Sequence, residues 1–350
     1  MTDKIKLAQG AGGELMDKLI KEKILKYFPE DKESEISLSM LDDASIINDI
    51  VFSTDSHTVR PIIFPGGDLG SLAVAGTIND VSVIGAKPIA LSAGFIIEEG
   101  LSVDTFSIIV KSMGKYASDA GVPIITGDTK VVEKGAIQEF MINTSGIGIR
   151  HPLLDKNFEI VKKYRKYKYR WLTDSNLKSG DKIILSGNIG EHGIALMSFR
   201  EGYGFETKIK SDVAPINHLL EKGLKIGGIV SAKDPTRGGL ANTVNEFSEK
   251  SDVGIILDEE KIPIPLGVKS ACDMLGLDPL QIGNEGKLVL GVVKEKAQMV
   301  LKEIKKHPLG KNAEIIGEVN NGLRGVVIET SVGGRRNLHR PIGDPVPRIC

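Results

Sequence analysis

The sequence predicts an α/β protein with two domains and an extended C-terminal tail. A chain of 350 residues is long enough for about two cores at the usual ~150 residues per domain. Stretches rich in β-branched residues alternate with helical patterns in both halves of the chain. Pro341, Pro345 and Pro347 fall close together at its end, and prolines at this density exclude a regular helix.

The first half is predicted to be a mixed α/β domain. Ile109, Met113 and Ala117 share one face of a helix over residues 101–120, and Gly121 is suited to end it. A second helical pattern covers residues 69–84. Strands are predicted at 51–55, 89–97, 122–126 and 140–149.

The second half is predicted to be another α/β unit, which begins after a boundary near residues 150–180. Its helices are expected around 192–201, 213–225, 237–249, 266–276 and 294–306. Its strands are expected at 183–186, 253–257, 287–293, 313–319 and 324–329.

Composition excludes some classes of function. Forty-five basic and forty-six acidic residues give a formal charge of -1, so no global field attracts nucleic acid or an anionic membrane. The N-terminus carries charges where a secretory signal needs apolar residues, and no run approaches the ~18 apolar residues of a membrane span. These features predict a cytoplasmic protein with reduced thiols.

The two cysteines differ in their surroundings. Cys272 has Val268, Ala271 and Leu275 at helical spacing, which predicts a packed core thiol. Cys350 is the last residue of the sequence, so no flanking element fixes it in a core on both sides. It is therefore a candidate reactive thiol, and an incidental tail residue is the alternative.

Several carboxylates follow predicted strands or lie in short loops. Asp43 in LDDAS, Asp55 in FSTDS and Asp128 in TGDTK are suitable ligands for Mg²⁺, although turn and cap roles are the ordinary alternative. Asn79 and Asp80 interrupt a helix of small and apolar residues. A buried carboxylate needs a partner or a cation, which favours contact with a metal or a nucleotide phosphate.

Glycine-rich loops and a basic run complete the candidate features. QGAGGE (9–14), PGGDLG (65–70) and PTRGGL (235–240) resemble loops that bring backbone N–H groups close to phosphate, but none is a Walker A motif. The run KKYRKYKYR (162–170) mixes cations with tyrosines, a mixture that also binds single-stranded nucleic acid. A solvated hairpin or an interdomain surface is the preferred interpretation.

Taken together, QGAGGE, LDDAS, FSTDSHTVRPIIFPGGDLG, TGDTKVV, DPTRGGLANTVNE, GLDPLQIGNEGKLV and the terminal PRIC resemble the HypE family of [NiFe]-hydrogenase maturation proteins. That family belongs to the superfamily of aminoimidazole ribonucleotide synthetase and selenophosphate synthetase. The resemblance implies a homodimer whose N-terminal domains contribute strands to a β-barrel at the interface, with ATP and Mg²⁺ between domains. The implied divisions are a glycine-rich segment 1–40, an ATP-binding and dimerisation domain 41–150, a C-terminal α/β domain 151–337 and a mobile tail 338–350.

The resemblance also implies a reaction. HypE proteins receive a carbamoyl group on the terminal cysteine from the carbamoyltransferase HypF. They then use ATP to dehydrate it to a thiocyanate, and pass cyanide to the HypC-HypD complex. Carried over by matching motifs, the catalytic residues are Cys350, Lys130 and Glu285, and the metal ligands are Asp43, Asp80 and Asp128. The residues expected to bind ATP are Gly12, Gly13, Asp43, Asp55, Asn79, Asp80 and Asp128.

Two other functions stay open at this point. One is a phosphotransferase of the same superfamily that acts on a free small molecule, against which the terminal PRIC argues. The other is a thiol carrier without catalytic activity, serving partner enzymes. The sequence departs from the family pattern at Gln9, where His or Ser is more usual, and in the length of the run 162–170.

Overall fold

The computed structural model describes residues 4–29, 31–199 and 208–343 and has a mixed α/β fold, as predicted. In the first half the elements are α1 (Gly13–Leu19), β1 (Ser45–Ile47), β2 (Ile50–His57), β3 (Ile63–Phe64), β4 (Gly67–Asp68), α2 (Leu69–Val83), β5 (Ala86–Glu98), α3 (Val103–Ala120), β6 (Ile124–Val132) and β7 (Phe140–Arg150). In the second half they are α4 (Leu154–Lys162), β8 (Lys182–Leu185), α5 (Glu191–Phe199), α6 (Asn217–Ile226), β9 (Ile229–Lys233), α7 (Gly239–Ser251), β10 (Gly254–Asp258), α8 (Leu266–Leu275), β11 (Val289–Val292), α9 (Lys294–Ile304), β12 (Glu314–Asn320), β13 (Gly325–Glu329) and β14 (Arg335–Asn337).

The first half is built on a five-stranded sheet in the order β1-β2-β7-β5-β6. Only the β5–β6 pair is parallel, and the sheet is open, with β1 and β6 at its edges. Side chains alternate along β7, so that one face of the sheet is buried. The other face exposes apolar side chains, among them Phe52, Ile147 and Ile149.

Helix α2 covers the buried face of this sheet and also packs against α3 and α6. Every residue of α2 except Asp80 is buried, which explains its small side chains. Gly70 shows the closeness of the packing, since a Cβ atom there would lie 2.3 Å from the carbonyl oxygen of Ile109. Asp68 caps the helix by accepting a hydrogen bond from the Ser71 N–H at 2.8 Å.

The second half is built on a seven-stranded sheet in the order β14-β13-β10-β12-β8-β11-β9. The last three strands in this order, β8, β11 and β9, are almost completely buried, as expected for strands covered on both faces. The two hydrophobic cores each combine residues from both halves: Val51 and Val81 pack with Ile184, and Leu72 and Ile109 pack in the same cluster as Leu196. The two halves therefore share their cores.

Most predicted elements are confirmed within a few residues, and the differences are informative. Strand β9 and helices α1 and α4 were not predicted, and the basic run 162–170 does not form the expected hairpin. It continues from the end of α4 as irregular chain, with Arg165 paired to Asp181 at 2.7 Å and Tyr167 partly buried against the hydrophobic core. None of the helices in the described ranges has the length and apolar character needed to cross a membrane.

Candidate active site

A cleft of about 300 Å³ lies between the N-terminal segment, strand β2, helix α2 and the loop that follows β9. Its lining includes a large excess of acidic side chains over basic ones. The polar and glycine residues that line it include Gly10, Gly12, Gly13, Asp17, Asp42, Asp43, Asp55, His57, Asp80, Lys233, Asp234, Arg237, Asn242, Glu246 and Glu285.

Three aspartates meet at the centre of this cleft. Asp43 precedes β1, Asp80 projects from α2, and Asp234 follows β9 directly. One carboxylate oxygen from each lies within 4.8 Å of the other two. We call these three residues the acid cluster. Ser53 on β2 supports it by donating a hydrogen bond to Asp80 Oδ2 at 2.9 Å.

The acid cluster is partly buried, with Asp234 the most enclosed of the three, and it is incompletely paired. Asp43 Oδ2 and Asp234 Oδ2 are inaccessible to solvent and accept no hydrogen bond from the described residues. Burial, together with the charge of Asp43, raises the pKa of Asp234 to about 8. Burial also raises the pKa of Asp80 well above its usual value, and the neighbouring carboxylates Asp234, Asp55 and Asp43 raise it further.

This arrangement fits a divalent cation. Mg²⁺ prefers carboxylate oxygens at about 2.0–2.1 Å in an octahedral shell, so oxygens on one ion lie about 3 to 4 Å apart. The spacing within the acid cluster is compatible with that geometry. A cation there would also pair with the two buried oxygens that accept no hydrogen bond.

A network of ion pairs fixes one side of the acid cluster. Lys233 Nζ lies 2.7 Å from Asp43 Oδ1, 3.1 Å from Asp174 Oδ2 and 3.2 Å from Glu246 Oε2. Lys250 Nζ lies 2.7 Å from the same Asp174 oxygen. Although burial opposes ionisation, these two ammonium groups hold the pKa of Asp174 at about 2. Asp43 is thus held with one oxygen on Lys233 and the other directed into the acid cluster.

Glu285 is a buried carboxyl group that lines the same cleft. Burial, followed by the charges of Asp234, Asp212 and Asp55, raises its pKa well above the usual value. Its backbone is fixed at both ends. The Glu285 N–H donates to Asp212 Oδ1 at 3.1 Å, and its carbonyl oxygen accepts from Ala214 N at 3.3 Å.

Asn79 was expected to contact ATP or metal, and the structure corrects that expectation. Its side-chain Nδ2 donates to the carbonyl oxygens of Ala214 and Glu285, both at 3.3 Å. Its Oδ1 accepts from Ile216 N at 2.9 Å. Asn79 is completely buried and is not among the residues that line the cleft. It connects α2 to the loop that carries Glu285.

Two predicted residues, Asp55 and Asp80, project into the cleft from β2 and α2, as the sequence suggested. Asp55 Oδ2 lies 3.3 Å from His57 Nε2, and His57 is buried. Burial lowers the pKa of His57, so that its imidazole is neutral at pH 7. Gly76 makes room for this pair, since a Cβ atom there would lie 2.9 Å from the His57 ring.

The predicted glycine loop forms the outer wall of the cleft. Gly12 and Gly13 have φ values of +83° and +73°, which favour glycine. A Cβ atom on Gly12 would lie 3.0 Å from Arg237 Cβ. The loop therefore lies directly against the chain that follows Asp234.

Asp128 and Lys130 lie outside the cleft of their own chain, contrary to the expectation that Asp128 joins Asp43 and Asp80. Both are exposed on the edge strand β6. In sheet register, Asp128 pairs with Gly94, Gly94 with Asn143, and Asn143 with Ser56 on β2. Three strand spacings of about 4.8 Å place Asp128 roughly 14 Å from β2. Asp234 occupies the third position of the acid cluster instead.

Cys350, the predicted carrier of the carbamoyl group, lies outside the described residues. Asp234 is the functional candidate that sequence reasoning missed, although the motif DPTRGG was recognised. The available signal was the apolar run GGIVSA, which ends directly before Lys233 and Asp234. A buried strand that ends in an acid and a glycine-rich turn is a usual way to place a ligand at the edge of a sheet.

Sequence comparison defines the class of protein to which this fold belongs. Residues 41–150 match the N-terminal domain model of AIR synthase related proteins, and residues 178–329 match the C-terminal domain model. Within that class the chain belongs to the HypE family. It is 39% identical to carbamoyl dehydratase HypE of Escherichia coli K12, over 99% of both chains. It is 51% identical to a putative hydrogenase expression/formation protein of Methanocaldococcus jannaschii, over 99% of this chain and 100% of that one.

Solved structures give the same assignment. HypE in a HypE–HypF complex is 46% identical, with a TM-score of 0.83, over 92% of this chain and 99% of that one. HypE in complex with ATP is 40% identical, with a TM-score of 0.79, over 99% of this chain and 100% of that one.

Proposed function

We propose that this protein is an ATP-dependent carbamoyl dehydratase of the cytoplasm that acts on a carbamoyl group carried by Cys350. The products are S-cyano-Cys350, ADP and phosphate. The observation that carries the proposal is the placement of Glu285, a buried carboxyl group, in the same cleft as an acid cluster suited to Mg²⁺. The relatives named carbamoyl dehydratase and the HypE structure with ATP support it.

ATP is needed because the oxygen of an amide is a poor leaving group. The carbamoyl oxygen attacks the γ-phosphorus of ATP and ADP departs, while one N–H proton is lost and a C=N bond forms. Loss of the second N–H proton then expels phosphate and leaves the C≡N bond. Each step needs an acceptor for a proton of the carbamoyl nitrogen.

Glu285 is the proposed proton acceptor. Burial raises the pKa of Glu285, and a carboxylate with a raised pKa is a stronger base than an ordinary one. Asp212 and Asn79 hold the backbone of Glu285 and leave the carboxyl group directed to the cleft. Asp43, Asp80 and Asp234 would hold Mg²⁺, which would neutralise charge on the phosphates of ATP.

The tail begins within reach of this cleft. Gly343, the last described residue, lies near Ala8 and Leu15 of the N-terminal segment, which forms one wall. Residues 344–350 span at most about 25 Å when extended, at ~3.3–3.6 Å per residue. We propose that this length brings Cys350 to Glu285.

We further propose a homodimer in which β6 of one chain enters the cleft of the other. Strand β1 pairs only with residues 50–52 of β2, so residues 53–57 have no strand partner at that edge within the described chain. The outer edge of β6 is also unpaired there, and its Ile125 and Val131 are each 65% exposed. Pairing these two edges would close a barrel and bring Asp128 and Lys130 of one chain beside Asp55 of its partner.

Mixed dimers test this arrangement. A chain with Asp128→Asn and Lys130→Ala keeps an intact cleft, whereas a chain with Glu285→Gln keeps an intact β6. If each site uses residues of both chains, a heterodimer of the two variants contains one intact site and one defective site. Because about half of the dimers are heterodimers after subunit exchange, the mixture should regain about a quarter of wild-type activity. If heterodimers confirmed by mass spectrometry show no activity, Asp128, Lys130 and Glu285 do not combine across the two chains.

HypF is the proposed carbamoyl donor and the HypC-HypD complex the proposed cyanide acceptor. Intact-mass analysis with the carbamoyl donor system, before and after ATP, tests the central reaction. The carbamoylated chain should lose the mass of one water at Cys350, and Cys350→Ala should show neither change. Full ATP turnover by Cys350→Ala with a diffusible substrate would favour a phosphotransferase. Carbamoylation that persists unchanged with ATP would favour a thiol carrier.

A further inference from the structure

The base of the tail, which we define as residues 338–343, is a packed part of the fold. Leu338 is buried, and its N–H donates to Val326 O at 2.9 Å. Asn245 Nδ2 donates to Leu338 O at 3.0 Å. Residues 338–343 of the tail, which was predicted to be mobile over 338–350, thus contact the C-terminal sheet and α7.

Arg340 is the main polar anchor of the tail base, and its side chain is only 8% exposed. It contacts α7 through Asn242 Oδ1 at 3.1 Å, Glu249 Oε2 at 3.1 Å and Glu246 Oε1 at 3.2 Å. It contacts α1 through Asp17 Oδ2 at 3.0 Å. One guanidinium thus joins the tail base to two walls of the cleft.

These contacts continue into the acid cluster. Glu246 forms ion pairs with two cations. Its Oε1 lies 3.2 Å from Arg340 Nη2, and its Oε2 lies 3.2 Å from Lys233 Nζ. Lys233 in turn holds Asp43 at 2.7 Å. A continuous chain of charge pairs therefore runs from the tail base to a proposed metal ligand.

The N-terminal segment rests on the tail base. The Glu14 N–H donates to Pro341 O at 3.3 Å. Gly13 approaches the same carbonyl so closely that a Cβ atom would lie 2.1 Å from it. Gly10, Gly12, Gly13, Met16, Asp17 and Ile20 of this segment line the cleft. The wall that covers the cleft thus depends on residues of the tail for its support.

We propose that Arg340 is a positioning residue that holds the N-terminal segment over the cleft by tying it to the tail base and α7. The inference deepens the proposed function, because the same cleft is assigned there to ATP. Three carboxylates, Asp17, Glu246 and Glu249, face Arg340 in this contact. Removal of Arg340 would leave them close together, with only Lys233 near Glu246 and Lys21 near Asp17 to offset their charge. The segment should then leave the cleft.

The reciprocal effect follows from thermodynamic linkage. If the closed N-terminal segment favours nucleotide binding, nucleotide must stabilise the closed segment and its contact with Arg340 to the same degree. Occupancy of the cleft and docking of the tail base are therefore coupled. Through Arg340, the affinity of the cleft for nucleotide would depend on docking of the tail base, although Arg340 does not touch the reacting atoms.

Limited trypsin digestion of the full-length protein tests the contact without any reaction. Lys18 and Lys21 on the N-terminal segment are exposed and serve as cleavage sites. Arg340→Gln should accelerate cleavage there at least about tenfold, since hydrogen bonds to charged groups contribute about 1.5–3 kcal/mol. Arg335→Gln, which breaks an exposed pair with Glu329, is the matched control and should leave the rate unchanged.

Two more variants separate the contact from a general loss of folding. Asp17→Asn lies outside both hydrophobic cores and should reproduce the faster cleavage, with little added effect in the Arg340→Gln background. Arg340→Lys should restore part of the protection.

Binding of a non-hydrolysable ATP analogue should weaken about tenfold in Arg340→Gln. Wild-type cleavage rates in folded Arg340→Gln and Asp17→Asn would overturn the proposal. If no variant binds the analogue but cleavage responds as expected, the ATP assignment fails while the role of Arg340 stands.

Discussion

Asp234 is buried, its Oδ2 accepts no hydrogen bond from the part of the chain that the structure describes, and its pKa is raised to about 8. In the unfolded chain its pKa returns to the ordinary value of about 3.9. Between these two values the unfolded chain releases a proton that the folded chain retains. The contribution of Asp234 to the free energy of unfolding therefore falls as pH rises from about 4 to 8, by up to ~1.4 kcal/mol per pH unit.

Asp234→Asn should consequently raise the melting temperature of the metal-free protein at pH 8 and have a smaller effect at pH 5. Mg²⁺ should stabilise the wild-type protein more at pH 8 than at pH 5, and this gain should shrink in the variant. Thermal unfolding with and without Mg²⁺ measures both effects. Asp273→Asn, on α8 outside the cleft, is a control for loss of an acid. A lower melting temperature for Asp234→Asn at pH 8 would contradict the assigned cost of burial.

Glu285 leads to a prediction about activity. The rate should rise with pH, whereas the contribution of Asp234 to the free energy of unfolding falls. A carboxyl group with a raised pKa is protonated at low pH and can accept a proton only after it ionises. The rate of cyanation should therefore rise with pH, and Glu285→Gln should reduce it at least about a hundredfold while ATP still binds. Single-turnover mass analysis across pH provides the measurement. Undiminished cyanation by Glu285→Gln would remove this residue from the mechanism.

At the residue scale, the sequence identified four of the acids that line the cleft, but it missed Asp234 and did not assign the partners of these side chains. Asp43, Asp55, Asp80 and Glu285 all line one cleft, as their motifs suggested. Asn79 could not be assigned correctly, because its amide binds backbone groups 135 and 206 residues away in the chain. A buried amide with such distant partners looks the same in sequence as one that binds a ligand.

The N-terminal segment gives a prediction at the scale of one element. Gly13 has φ +73° and no room for a Cβ atom beside Pro341, whereas Gly10 has no atom within 4 Å of its Cβ position. Gly13→Ala should therefore displace the segment and weaken nucleotide binding about tenfold or more, while Gly10→Ala should not. Calorimetric titration with an ATP analogue compares the two. Equal affinities would show that the close approach to Pro341 is not needed.

Elements with strong periodicity were predictable, and buried short ones were not. Helix α3 was predicted almost to the residue because one face is apolar and a glycine ends it. Strand β9 is buried at all five positions, so its apolar run lacks alternation and is indistinguishable from a piece of buried helix. Helix α1 is only seven residues long, and it contacts the tail base through Gly13, Glu14 and Asp17.

The exposed face of the five-stranded sheet gives a prediction for the whole molecule. Ile125→Asp with Val131→Asp should yield monomers, because the charges would face the proposed partner strand. Val103→Asp is a suitable control, since Val103 is 76% exposed on α3. Light scattering after size-exclusion chromatography measures the mass. A dimer that survives the double substitution would exclude β6 from the interface.

The sharing of cores between the two halves was beyond sequence analysis. The division near residue 150 followed from a change in composition, and the two family models also lie on either side of it. Composition contains no information on which distant apolar faces meet, however. The burial of α2 between its own sheet and α6 of the second half is a property of the assembled molecule.

The contact between Gly13 and Pro341 has a practical consequence for handling the protein. Since the two ends of the described chain meet at one cleft, a purification tag fused to either terminus would compete for space there. The turn between β13 and β14, residues 330–334, is exposed and lies outside the cleft lining. A tag or fluorophore inserted in that turn would leave both termini native, and such a preparation is the appropriate reference for kinetic measurements.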